Sequence, residues 1–152
     1  MADEVKRKPL LNHDLARLRQ KTAQGWQLRL LLKRHVRALN HGIRTGDFTE
    51  KLDMYDRDAV VIFADPISTA YHGIDAIRAA YRHYPPHGTI HTRHLHITGQ
   101  TVSADFVLDA NPDRIAGQLI LTFNSHLRIT RKLVTFTRDH QPPPRRHSGR
   151  SR

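Results

Sequence analysis

Asp65 closes an apolar run, Ala59-Val60-Val61-Ile62-Phe63-Ala64, and Pro66 follows it at once. Alternate side chains of a strand share a face, so Asp65 would point the way of Val61 and Phe63. A carboxylate among apolar neighbours is destabilised as a charge, which makes it a stronger base. An Asp-Pro turn would account for the same two residues without any chemistry. Histidine is the second resource, with 12 in the chain. On a regular strand His94 and His96 share a face, where two rings could move a proton or hold a metal ion. His91 would fall on the opposite face, and the only Glu residues are Glu4 and Glu50, so no metal site is expected. Asp105 and Asp109 share parity on the following run, with Arg93 and Arg114 as partners, and solvent-facing ion pairs are the expected outcome. No glycine-rich phosphate loop, dinucleotide fingerprint or nucleophile elbow occurs, and no cofactor is expected.

The elements that must carry these groups change character partway along the chain. Asn12–Gln20 has helical spacing at Leu15 and Leu18 behind the cap candidates Asn12 and Asp14, and Gly25 reads as an interruption. From Trp26 the stripe Leu28, Leu31, Leu32, His35, Val36, Leu39 marks an amphipathic helix ended by Gly42 and Gly46. Asp47 would cap a short second helix with Phe48, Leu52 and Tyr55 on one face. After the strand 59–64, Gly73 precedes a third helix bearing Ile74, Ile77, Ala80 and Tyr81, which Pro85-Pro86 stops. Then come four strands, Ile90–Thr98, Thr101–Ala110, Ile115–Phe123 and Leu127–Thr137, joined by short turns. In the last of them the alternation slips between Ile129 and Val134, which predicts a bulge. Helices followed by a meander of strands give an α+β domain, a curved, mainly antiparallel sheet wrapped as a cone around three helices, with an additional N-terminal helix. Trp26, Tyr55, Phe63 and Tyr81 are candidates to line the cone's pocket together with His96 and Leu119, in surroundings suited to a flat apolar ligand. Core packing is the simpler role for most of them.

At 152 residues the chain has room for one such domain. The formal net charge of +11 sits mostly outside it. Residues 1–24 hold six Lys and Arg against three acids, and residues 140–152 hold four Arg against none, leaving +4 for residues 25–139. The expected division is a basic, partly helical extension over 1–25, a domain over 26–139, and a disordered basic tail over 140–152 after Pro142-Pro143-Pro144. Without a recognition helix or stacking aromatics in the core, nucleic acid is not an expected partner. The chain has no cysteine, which excludes disulfides and thiolate chemistry and suits a cytoplasmic location. No apolar run is long enough for a membrane span or a secretion signal.

The pieces Ala38-Leu39-Asn40, Thr45-Gly46-Asp47-Phe48, Leu52 through Val60, Phe63-Ala64-Asp65-Pro66 and Tyr71 through Tyr81, in that order and spacing, are the basis of a resemblance. With Thr92-Arg93-His94-Leu95, Gly99 and Val102 further on, residues 28–138 resemble the SnoaL-like, ketosteroid-isomerase-like branch of the nuclear transport factor 2 superfamily. The resemblance implies the cone fold, a homodimer, and a general base at Asp65. It also implies a catalytic histidine at His94, which could pair with Asp65 across the pocket. The isomerase's oxyanion donors are replaced, because Leu39 and Leu119 stand near their positions and cannot donate. Gly42-Ile43-Arg44 likewise stands where dehydratase relatives carry the aspartate that serves that histidine. The function so implied is a small cofactor-free enzyme using acid–base chemistry on an apolar carbonyl or polyketide-like compound: a cyclase, dehydratase or isomerase, less readily an epoxide hydrolase. The alternative is a non-catalytic binding or scaffold module that keeps the cone.

Overall fold

The structure is a computed structural model, and it describes residues 12–64 and 68–137. The first helix, α1 (Asn12–Thr45), runs unbroken through Gly25, so the interruption expected there does not occur. Glycine in a helix interior costs about 1 kcal/mol relative to alanine, which the long, good helix-forming stretch after it can outweigh. Gly25 also faces the sheet, where the side chain of Ile97 is its nearest neighbour. The boundary expected between residues 25 and 26 thus falls inside a helix. Leu28, Leu32, His35, Val36 and Leu39 make the buried face of α1, while Trp26 and Leu30 lie on the other side and are exposed.

Asp47 accepts a hydrogen bond from the backbone N–H of Thr49 at 3.0 Å, one residue ahead of the N-cap of α2 (Thr49–Leu52), which is Phe48 rather than the expected Asp47. The chain continues through β1 (Tyr55–Ala64), β2 (Thr69–His72) and α3 (Ile74–His83). The meander follows as β3 (Thr89–Thr98), β4 (Thr101–Ala110), β5 (Asp113–Phe123) and β6 (Ile129–Thr137). The strand order is β2-β1-β6-β5-β4-β3, and β1 alone runs parallel to its neighbour, β6. The four late strands match the sequence reading to within two residues at either end. The short strand β2 was not anticipated: four residues between turn signals carry too little alternation to be read, and pairing with Val60–Phe63 creates the strand. No helix among the described residues is long and apolar enough to cross a membrane.

The sheet bends around α1 and α3, and two bulges decide which side chains it turns inward. In β3 the register slips between Arg93 and His96, with His94 in the left-handed region at φ 56°. One extra residue shifts the strand's parity. Ile90 and Thr92 face inward before it, and Leu95 and Ile97 after it. In β6 the register against β5 slips opposite Phe123, between Ile129 and Arg131, the bulge that the broken alternation predicted. Asn40 of α1 fixes the edge strand by a double hydrogen bond. Its amide donates to the carbonyl of Ile90 at 2.9 Å and its oxygen accepts from that residue's N–H at 2.8 Å. This occupies both backbone groups of an otherwise open edge.

Gly117 in β5 has no room for a side chain. A Cβ there would collide with the carbonyl of Thr135 and the ring of Phe106. Gly117→Ala is expected to cost about 1–3 kcal/mol, the range for overpacking a filled core. A urea midpoint unchanged from the parent would contradict it.

Candidate functional site

Inside the cone is a cavity of about 290 Å3 to which all six strands and both long helices contribute. Leu39 comes from α1, Phe63 from β1, Phe106 and Leu108 from β4, Leu119 from β5, and Val134 and Phe136 from β6. Tyr84 and Pro86, in the segment after α3, complete the lining together with Ile90 of β3. Tyr71, Tyr81, Tyr84 and Lys132 bring polar groups to the lining, and among the described residues Lys132 is the only charged one there. It reaches that place through the β6 bulge, after which Lys132, Val134 and Phe136 share the inward parity. Its strand neighbours are Val61 on β1 and Leu121 on β5, both buried and apolar.

Lys132 is 2% exposed, and its Nζ donates to the hydroxyl of Tyr81 at 3.2 Å. Behind Tyr81, Lys51 is wholly buried, donates to the Tyr55 hydroxyl at 3.0 Å, and stands 3.5 Å from the centroid of the Tyr81 ring. His35 of α1 is also wholly buried and meets the Tyr55 ring edge-on at 5.9 Å. Neither of its ring nitrogens has a hydrogen-bond partner among the described residues. Three basic groups thus share one interior region. The ion pairs found among the described residues, Arg34–Glu50, Arg78–Asp75 and His94–Asp105, lie elsewhere on exposed side chains.

Burial without a countercharge governs how these groups titrate. Desolvation lowers Lys132 from 10.5 to about 7. Desolvation first, and then the charge of Lys132, hold Lys51 well below its ordinary value. His35 is depressed by burial, by Lys132 and by Lys51, and stays neutral. The phenols go the other way, since burial raises both Tyr55 and Tyr81. Near neutral pH the cavity therefore offers an amine close to its midpoint and a firmly protonated hydroxyl. That pair can donate to an oxygen gaining negative charge, and the neutral amine can accept a proton.

Among the candidates read from sequence, Phe63, Tyr81 and Leu119 line the cavity, and so does Leu39. Tyr55 is buried one layer behind, against Lys51 and His35. His94 is a correction. The β3 bulge turns it outward, where its ring is 72% exposed and its Nδ1 lies 3.0 Å from the Asp105 carboxylate. His96, two residues on, is exposed for the same reason. Trp26 is 61% exposed on the outer side of α1, about half a turn of the helix away from Leu28. Asp65 lies outside the described residues. Among those described, no three His, Asp or Glu side chains come together to hold a metal ion.

Sequence reasoning missed Lys51 and Lys132. For Lys132 a signal existed: it precedes Val134 by two and Phe136 by four, inside the segment whose alternation was already seen to slip. Lys51 had only a faint one, its place between Phe48 and Leu52 on a helix too short to show a period.

The family model of the SnoaL-like domain matches residues 33–135. Among solved structures, an NTF-2 like protein of unknown function from Burkholderia xenovorans has a TM-score of 0.67 at 19% identity, covering 80% of this chain and 91% of that one. A candidate ketosteroid isomerase from Kribbella flavida gives 0.63 at 20% identity, covering 83% and 89%. A candidate SnoaL-like polyketide cyclase from Shewanella denitrificans gives 0.56 at 20% identity, covering 72% and 90%. No curated protein matches the chain. At these identities the structural likeness speaks for the fold, and the chemistry rests on the residues inside the cone.

Proposed function

The chain belongs to the SnoaL-like family, and from that premise we propose that it is a small cofactor-free enzyme that moves protons on an apolar carbonyl compound, in an isomerase-, cyclase- or dehydratase-type reaction. The observation that carries this reading is a cavity whose described lining is mostly apolar, with Tyr81 and Lys132 forming a polar corner 3.2 Å apart. A flat apolar body fills the walls, and its carbonyl oxygen takes the corner. When an α-proton leaves, charge builds on that oxygen, and donors already in place stabilise it without reorganising. Tyr81 and Lys132 would thereby do what Leu39 and Leu119, both in the same wall, cannot. Asp65 is the base in this proposal, on its sequence position after Phe63. His94, outside the cavity, has no part in it.

The test uses 2-tetralone, an apolar and readily enolised ketone, in D2O. Proton NMR follows exchange of its α-protons, and saturation transfer reports binding. The chain is expected to speed exchange, with Asp65→Asn slowing it by about 10²-fold or more, as for loss of a general base. Tetralone that binds in the cavity but exchanges at the buffer rate would contradict the enzyme reading. It would instead favour the binding module, in keeping with a lining that holds no carboxylate among the described residues.

A further inference from the structure

The buried basic groups ask for something that a neutral ketone does not provide. Lys132 carries three N–H donors when protonated, and Tyr81 accepts one of them. Lys51 and His35 lie in the same region, and no acid among the described residues pairs with Lys51 or Lys132. Buried charges are ordinarily paired. Here the cavity opens beside the unpaired amine, so the place of the partner is open to an incoming molecule. The surrounding wall, from Leu39 and Phe106 to Val134 and Phe136, is apolar and would hold a hydrocarbon body but no second charge.

We propose that the ligand is an organic acid with an apolar body, which enters the cavity so that its anionic group sits against the Lys132 amine and the Tyr81 hydroxyl. The inference rests on the cavity being the ligand site, as in the proposed function, and not on turnover. The anion supplies the missing countercharge, and Lys132 is held protonated in the complex. Binding above neutral pH then takes a proton from solution, because the empty cavity leaves Lys132 titrating at about 7. Among the described residues, the titratable groups facing this corner are His35 from α1, Lys51 from α2, Tyr55 from β1, Tyr71 from β2 and Tyr81 from α3. Burial keeps His35 neutral and Tyr55 and Tyr81 protonated at pH 7–9, so Lys132 carries the proton change.

Shape-matched pairs separate charge from hydrophobic fit: 2-naphthoate against 2-naphthamide, and decanoate against decanamide, titrated calorimetrically into the full chain at 150 mM salt. At pH 7 at least one acid is expected to bind about tenfold or more tighter than its amide, the step for one favourable charge contact. Its affinity should fall with rising pH by up to about tenfold per unit above 7, and its enthalpy should change with the buffer's ionisation enthalpy. Lys132→Met should abolish the preference of the acid over its amide. Amides that bind as tightly as acids would overturn the inference, as would no binding by any acid. A preference for acids that survives Lys132→Met would also overturn it, by assigning the effect to the basic surface. The tetralone assay remains independent: exchange without acid preference sinks this inference alone, and acid capture through Lys132 without exchange sinks the catalytic reading alone.

Discussion

Between pH 7 and about 10 the ligand-free chain is expected to become more stable as the solution grows more alkaline. The cause is Lys132, which titrates at about 7 when folded and at 10.5 when exposed. In that interval the unfolded chain binds the proton that the folded chain has released, and stability rises with pH wherever the unfolded state holds more protons. The burial cost is fully present below pH 7 and is lifted by pH 10.5. Each lysine contributes a slope of at most about 1.4 kcal/mol per pH unit, so Lys132 alone can add up to about 4 kcal/mol by pH 10. Lys51, shifted in the same direction, adds to the effect. Above pH 10 the sign reverses. Tyr55 and Tyr81 are raised by burial, so the unfolded phenols ionise first and draw the equilibrium toward unfolding. Urea melts from pH 6 to 11 should trace a maximum near pH 10. Lys132→Met, close in volume and uncharged, should be more stable than the parent at pH 7 and show a shallower rise. A parent curve that is flat or falling from pH 7 to 10 would contradict this account of the interior.

The second large effect concerns turnover. Lys132→Met is expected to lower the rate of tetralone α-proton exchange by about 10²–10³-fold, the usual loss when a donor to a developing oxyanion is removed. Half-saturation should change little, because the ketone's body still fills the same apolar walls. A stable, ligand-binding Lys132→Met protein would show that the lysine is present for chemistry at a cost to stability. Exchange that survives the substitution intact would remove Lys132 from the reaction and leave Tyr81 as the only donor at that corner.

Much of the fold could be read from residue order because its signals are local. Pro85-Pro86 after the third helix, the turns at Gly99-Gln100 and Asn124-Ser125, and the period-2 runs between them place the late strands. The site was less accessible because its membership depends on parity, and parity changes at bulges. On a regular strand His94 and His96 would continue the inward face of Ile90 and Thr92. The extra residue at the β3 bulge sends both outward, while the β6 bulge sends Lys132 inward. A single-residue slip reverses every side chain beyond it, and a sequence shows that a slip exists more readily than it shows which residue absorbs it. His35 was visible within its helical stripe, but the lack of any partner for it is a tertiary fact.

The central claim is that the Lys132 amine stands in the cavity wall, unpaired and in reach of a ligand. Selective 13C labelling of the six lysines, with their Cε signals followed against pH, tests it most directly. The account predicts one signal with a midpoint near 7, lost in Lys132→Met and displaced when 2-tetralone or 2-naphthoate is added. Lysine signals that all titrate close to 10.5 and ignore both compounds would place the amine in water, and the proposed chemistry would go with it.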